Sequence, residues 1–523
     1  MRTALQWFDR TVLDLGRQMR VSYLPPLMVY LAAGVSGLTG IVGTFFVKDY
    51  LGLSAEFLAA LGFWVGLPWA LKVPIGHLVD LIWRWKALLV WLGAALLTAS
   101  LLIMLGLLTQ HAAMARVLSI EHWYVLANVL SPIGYVLQDC VADAMTVEAV
   151  PVADTDGTPI DEATRKVGHT TVQMLGRVAI IGGSVLVSAI NVLVFRDVGA
   201  MSESDKLVAY EQVYLWALII PAISVAGVLL AAWLQRHQAA HPIEPVQANV
   251  WILGGGFAFA VFSIAMGLSD HPYNQEIIFV GSMAIVLFLM RRLMLVLEDD
   301  AARSIVATAL MVFVFRALPG PGAGVNWWTI DALGFDQQFL ATLSLISSGL
   351  TLIGMFVFRR FMAEHSMARI IVILTLIGTF LSLPTLSMFH GLHHWTAAHT
   401  GGVVDARFIA LIDVALESPL GQVAMIPMLA WIAASAPAHL KATYFAVMAS
   451  FTNLALSAAQ LGTKYLNQIY HVSREVKDRS SGVITQSADY SQLGDLLLAS
   501  ILIGLALPLC CVLLLRLLRL RTA

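Results

Sequence analysis

Fourteen stretches of about 20 mostly apolar residues follow one another along this chain, and nothing else in the sequence narrows its folding options as far. Lipid offers no hydrogen-bond partner to irregular backbone, so stretches of this length are expected to cross a bilayer as helices. They lie near 21–47, 55–80, 86–109, 121–148, 168–195, 208–234, 249–267, 276–297, 302–320, 336–358, 367–390, 403–433, 440–468 and 492–518. The pair within 249–297 is the weakest, because Gly254, Gly255 and Gly256 interrupt its first member; without it twelve spans and the same orientation remain. Only 12% of the 523 residues are charged, about half the usual share of roughly 25% in soluble domains. A net charge of -2 leaves no basic face for nucleic acid. Cys140, Cys510 and Cys511 all sit in apolar runs and cannot build a disulfide framework. A soluble enzyme, a secreted scaffold and a disordered chain are excluded, and an all-α polytopic membrane protein is expected.

Lys and Arg set the expected orientation. With the N-terminus cytoplasmic, the cytoplasmic loops and tails hold 19 of these residues and the other side 9, with Lys72, Arg177 and Arg316 inside spans. That bias predicts cytoplasmic N- and C-termini. In residues 1–20, Leu5, Phe8, Val12, Leu15 and Met19 repeat at helical spacing, with Arg2, Arg10 and Arg17 on other faces. This reads as an amphipathic helix, either lying on the cytoplasmic membrane surface or packed beneath the bundle, and not as a cleaved signal.

The chain contains an internal duplication. Residues 48–61 (KDYLGLSAEFLAAL) and 330–343 (IDALGFDQQFLATL) align without a gap, and Asp49/Asp331, Leu51/Leu333, Gly52/Gly334, Phe57/Phe339, Leu58/Leu340, Ala59/Ala341 and Leu61/Leu343 are identical. Each copy links the first and second helices of a six-helix set. A second match, on the fourth helix of each set, relates Asp139 and Asp143 to Asp413 and Glu417. Six helices, two inserted, then six more are the arrangement of major-facilitator transporters, whose substrate site lies near the midplane. The expected organisation is 21–235, a linker at 236–300, and 301–520.

Charges inside the bilayer each cost at least about 2.5–3.5 kcal/mol without a partner or a wet cavity. At a helical rise of about 1.5 Å per residue, Lys72, Asp139, Asp143 and Arg177 fall at similar depth. Asp139 and Asp143 are one turn apart and share a helix face. Adjacent carboxylates repel until a proton or a cation relieves them. One reading is a coupled site in which a carboxylate exchanges a proton while Lys72 and Arg177 engage an anion. The other is a structural ion-pair network. Glu148, on the opposite face, reads as a gate or helix-end residue. In the second half, Arg316 is expected four residues from the end of its span, before the helix-breaking Pro319-Gly320-Pro321-Gly322. Asp413 and Glu417 repeat the carboxylate spacing, followed by Ser418 and Pro419.

Weaker signals point elsewhere. His390, His393, His394 and His399 cluster in a loop without zinc-type spacing. There is no phosphate-binding Gly-x4-Gly-Lys-Ser/Thr loop. Tyr23, Tyr30, Trp64, Trp69, Trp327 and Trp328 fit either a flat ligand or interfacial anchoring.

At Pro68-Trp69-Ala70-Leu71-Lys72-Val73-Pro74, and at Gln138-Asp139-Cys140-Val141-Ala142-Asp143-Ala144 with Val147-Glu148 following, the chain resembles the folate–biopterin transporter family. The second half is similar at Leu333-Gly334-Phe335 and Ala442-Thr443-Tyr444-Phe445-Ala446. Two departures stand out. Val73 replaces a usual Pro, and Leu81 and Trp83 interrupt a helix 2–3 motif that otherwise survives as Gly76, Asp80, Arg84 and Lys86. Asp80 and Arg84 are therefore gate candidates with reduced loop support. The resemblance implies proton-coupled movement of an anionic folate or pterin. A monomer in the inner membrane of a bacterial cell, working with protons and the lipid bilayer, is expected. No cofactor is implied. Muropeptide permeases share the Gln-Asp-x-x-x-Asp-Ala run and remain the alternative, as does a non-transporting assembly protein on the same fold. An intramembrane enzyme is disfavoured, since no His-Glu-x-x-His or nucleophile motif occurs.

Overall fold

A computed structural model describes residues 14–51, 53–70, 72–150, 158, 160–236, 250–267, 269, 271–294, 299–428, 441–477 and 484–520. Each of the fourteen apolar stretches carries helix. The chain begins with α1 (Leu24–Val35), α2 (Gly40–Tyr50), α3 (Ala55–Ala70), α4 (Lys72–Leu81), α5 (Ala87–Thr109) and α6 (Ile120–Ala149). It continues with α7 (Glu162–Val194), α8 (Glu203–Ala217), α9 (Ile219–Gln235), α10 (Val250–Gly267), α11 (Asn274–Met294), α12 (Asp299–Arg316) and α13 (Gly324–Asp331). The last helices are α14 (Gln337–Val357), α15 (Met367–Phe389), α16 (Leu392–His399), α17 (Ala406–Glu417), α18 (Lys441–Ile469) and α19 (Leu493–Leu517). Among the described residues, 11 helical segments are long and apolar enough to cross a membrane, and Leu253–Gly267 is a shorter apolar helix. The expected amphipathic helix falls mostly outside the described residues, which show only the turn Asp14–Arg17.

Several helix starts follow directly from sequence. Pro25 and Pro26 occupy the first turn of α1, where a missing N–H costs nothing. The side chains of Asp336 and Asp405 accept hydrogen bonds from Phe339 N and Phe408 N, both at 2.8 Å, capping α14 and α17. Ser202 and Asp205 form a reciprocal capping box at the start of α8.

The helices gather into two compact units, one of Met1–Gly40 with Ile75–Asn249, the other of Ile41–Pro74 with Val250–Ala523. In the first, α1 packs on α6, α7 and α9, and α5 on α6, α8 and α9. Glycine makes the α1–α7 contact: a Cβ at Gly34 would lie 2.1 Å from the Ile180 carbonyl oxygen, so the backbones touch directly.

In the second unit, α18 packs along α3, α11 and α12. The inserted pair, α10 and α11, is held here by side chains. Gln275 Nε2 donates to the Ala60 carbonyl at 3.1 Å. Glu276 Oε1 accepts from Lys464 Nζ at 3.1 Å and from the Tyr465 hydroxyl at 2.6 Å. Gly256 and Gly267 sit against Pro74 and Trp64 without room for a methyl group. A small antiparallel hairpin, β1 (Val476–Lys477) with β2 (Ile484–Gln486), precedes α19. Beside it the Tyr490 hydroxyl donates to Asp331 Oδ2 at 2.5 Å, and the Arg474 guanidinium stacks 4.7 Å from the centre of the Trp327 ring.

Candidate functional site

The first unit collects most of the expected site. α6 runs unbroken through Asp139 and Asp143, so the two carboxylates project from one face; both residues are half-buried. From α1, Tyr30 is 5% exposed and its hydroxyl donates to Asp143 Oδ1 at 2.6 Å. From α7 comes half-buried Arg177. The charges of Asp139, Asp143 and Arg177 all act on the Tyr30 hydroxyl. Gly176 explains how the ring fits: a Cβ there would stand 2.9 Å from both Cδ2 and Cε2 of Tyr30. One turn along α6, Thr146 Oγ1 donates to the Asp143 carbonyl at 2.6 Å and accepts from Gln173 Nε2 of α7 at 3.0 Å.

Lys72, half-buried at the first residue of α4, belongs to the second unit. The four charges at similar expected depth thus divide three and one between the compact units.

Among the gate candidates, Glu148 near the end of α6 accepts from Lys86 Nζ at 2.6 Å. The same ammonium lies 4.2 Å from the Trp83 ring centre. Arg84 is exposed in the turn Trp83–Trp85, and the Asp80 side chain lies outside the described residues.

In the second unit, α12 ends at Arg316 itself instead of four residues later. Pro319 cannot extend a helix, and the chain turns through Gly322 at φ 77, held by Gly320 N donating to Thr463 Oγ1 at 3.0 Å. Arg316 Nε donates to the Thr452 carbonyl at 3.2 Å, and Nη1 reaches Met425 Sδ at 3.2 Å and Met428 Sδ at 4.0 Å. A carbonyl and two thioethers leave its charge without a carboxylate partner among the described residues. Asp413 is half-buried on α17, and its Oδ1 has no hydrogen-bond partner among the described residues. Glu417 ends the same helix and is exposed.

Four of the six candidate aromatics are buried inside a unit: Tyr23 and Tyr30 in the first, Trp327 and Trp328 in the second. The rings of His393 and His394 on α16 lie 3.9 Å apart. Among the described residues no cluster of three His, Cys, Asp or Glu side chains is arranged to hold a metal.

Two partners are not legible in the sequence. Tyr30 gave no signal beyond an aromatic residue in an apolar helix. Lys86 stood out only as part of a loop motif, and its pairing with Glu148 joins segments 62 residues apart.

The pattern that defines the BT1 family matches residues 178–520. The chain belongs to the BT1 family. It is therefore a member of a transporter family and not of an enzyme family. The matched span begins just after Arg177, so the α6 carboxylates lie outside it. The folate-biopterin transporter of Synechocystis sp. is 23% identical over 460 residues, covering 87% of this BT1 chain and 76% of that protein. Among solved structures, a POT family transporter in complex with a thioalcohol-conjugated peptide superposes with TM-score 0.60 at 13% identity, over 96% of each chain. A D-xylose-proton symporter gives TM-score 0.50 at 15% identity, over 94% of this chain and 95% of that one. These likenesses give the BT1 chain a major-facilitator-type fold. It is an integral multi-pass membrane protein.

Proposed function

We propose that this BT1 protein is a proton-coupled secondary transporter of an anionic folate or pterin, working by alternating access. The observation that carries the reading is the first unit's cluster: two carboxylates one turn apart, the Tyr30 hydroxyl bonded to one of them, and Arg177 of α7 near enough for its charge to act on that hydroxyl. A half-buried acid pair with a cation near it is suited to exchanging a proton as an anion comes and goes. Asp143 and Asp139 carry the proton, and Arg177 takes a substrate carboxylate once an acid is neutralised. Lys72 and Arg316 supply further positive charge, and the neutral surroundings of Arg316 favour an anion there. Asp413 and Glu417 act as secondary proton sites, and Asp80, Arg84 and Glu148 as gate residues. The substrate class follows the Synechocystis relative and the charge of folate's glutamate tail. The 19-to-9 bias of Lys and Arg supports both termini on the cytoplasmic side of a bacterial inner membrane.

The test is uptake of labelled folate into proteoliposomes with and without an imposed inward proton gradient. Gradient-stimulated uptake supports the reading. Uptake indifferent to the gradient removes proton coupling, and no uptake of folate or pterin by folded protein removes the substrate class.

A further inference from the structure

We propose that Tyr30 is the positioning residue that links the protonation of Asp143 to helix α1, an inference resting on the proton-coupled reading above. The phenol donates to Asp143 Oδ1 at 2.6 Å. A hydroxyl donating to an ionised carboxylate makes a charge-assisted bond, roughly twice as strong as a neutral one. When Asp143 takes up a proton, that charge disappears and the bond must weaken or reverse its donor. α1 therefore carries a group whose attachment to α6 depends on whether the carboxylate is ionised.

The packing turns this local change into a change of helix contact. Tyr30 belongs to one buried cluster with Leu27, Ala142 and Val172, drawn from α1, α6 and α7. Gly176 closes off the ring on the α7 side. With its ring hemmed in, a change in the bond at the hydroxyl is passed to the packing of α1 on α6 and α7. The charged groups acting on it are Asp139 and Asp143 of α6 and Arg177 of α7. A substrate anion that draws on Arg177 alters the same balance, so Tyr30 stands where proton and substrate charge are both felt.

Tyr30→Phe isolates the claim, because it keeps the ring and removes only the hydroxyl. In proteoliposomes, gradient-driven accumulation of labelled folate and gradient-free counterflow exchange are measured for wild type, Tyr30→Phe and Asp143→Asn. The expected result for Tyr30→Phe is accumulation reduced about tenfold or more, with exchange within about twofold of wild type, as loss of a hydrogen bond to a charged group implies. Asp143→Asn should lose gradient-driven accumulation as well. Wild-type accumulation in Tyr30→Phe overturns the inference, and so does equal loss of accumulation and exchange, which marks a purely structural role. If Asp143→Asn itself accumulates folate normally, the coupling role of Asp143 fails and the inference goes with it. If only Tyr30→Phe behaves as wild type, the coupling role stands and this inference alone is lost.

Discussion

Lys48 Nζ lies 2.5 Å from Asp331 Oδ1, so the two copies of the duplicated segment meet in an ion pair within one compact unit. The pair does not follow the repeat: the partner of Asp331 by alignment is Asp49, while Lys48 aligns with Ile330. One copy has contributed a cation and the other an anion. With side-chain exposures of 8% and 22%, the pair is largely shielded from solvent.

A double-mutant cycle with Lys48→Met and Asp331→Asn should give a coupling of about 0.5–3 kcal/mol in thermal or denaturant stability. Additive single effects would mean that the charges do not stabilise each other.

Tyr490 holds the other oxygen of Asp331. Burial first, and then the Asp331 carboxylate, push its phenol above the ordinary value. A raised value in the folded state means the neutral phenol is the stabilising form. Its contribution is fully present below the unfolded value near pH 10 and is lost only as pH rises through the folded value. Tyr490→Phe should therefore cost about 1.5–3 kcal/mol, by a constant margin from pH 7 to pH 10 that narrows only above it. Melting curves across that range test this; a margin that vanishes by pH 9 contradicts it.

Glu276 fastens the inserted helix pair to α18 through Lys464 and Tyr465. Glu276→Gln should lower stability by about 1–3 kcal/mol, and hydrogen exchange should rise in α11 before α5. Uniform exchange across both helices would argue that the anchor is unimportant.

Gly34 permits the backbone contact between α1 and α7. Gly34→Ala places a methyl group within 2.1 Å of the Ile180 carbonyl oxygen, so the helices must separate, at a cost of about 1–3 kcal/mol. Thermal stability at wild-type level would mean that the seam yields without strain.

The spans were legible because length and hydropathy are local properties that lipid enforces. Asp139 and Asp143 were legible because charge is conspicuous in an apolar helix. Tyr30 was not, since the same residue serves equally as core, anchor or hydrogen-bond donor until α6 and α7 are packed against it. Trp327 and Trp328 read equally as ligand contacts or interfacial anchors, and both are buried, one of them against Arg474. The Lys48–Asp331 pair depends on a contact across 283 positions that no spacing rule encodes. The same holds for the packing that groups residues 41–74 with the later helices.

On the proposed mechanism, folate-class substrate and protons move together, with Asp143 carrying the proton. The most direct measurement is the pH inside proteoliposomes, followed with an entrapped dye as folate is added outside in the absence of any imposed gradient. Folate should acidify the lumen of vesicles carrying wild-type protein and leave the lumen unchanged with Asp143→Asn. Folate entry without acidification in the wild type, or equal acidification by both proteins, would contradict that mechanism.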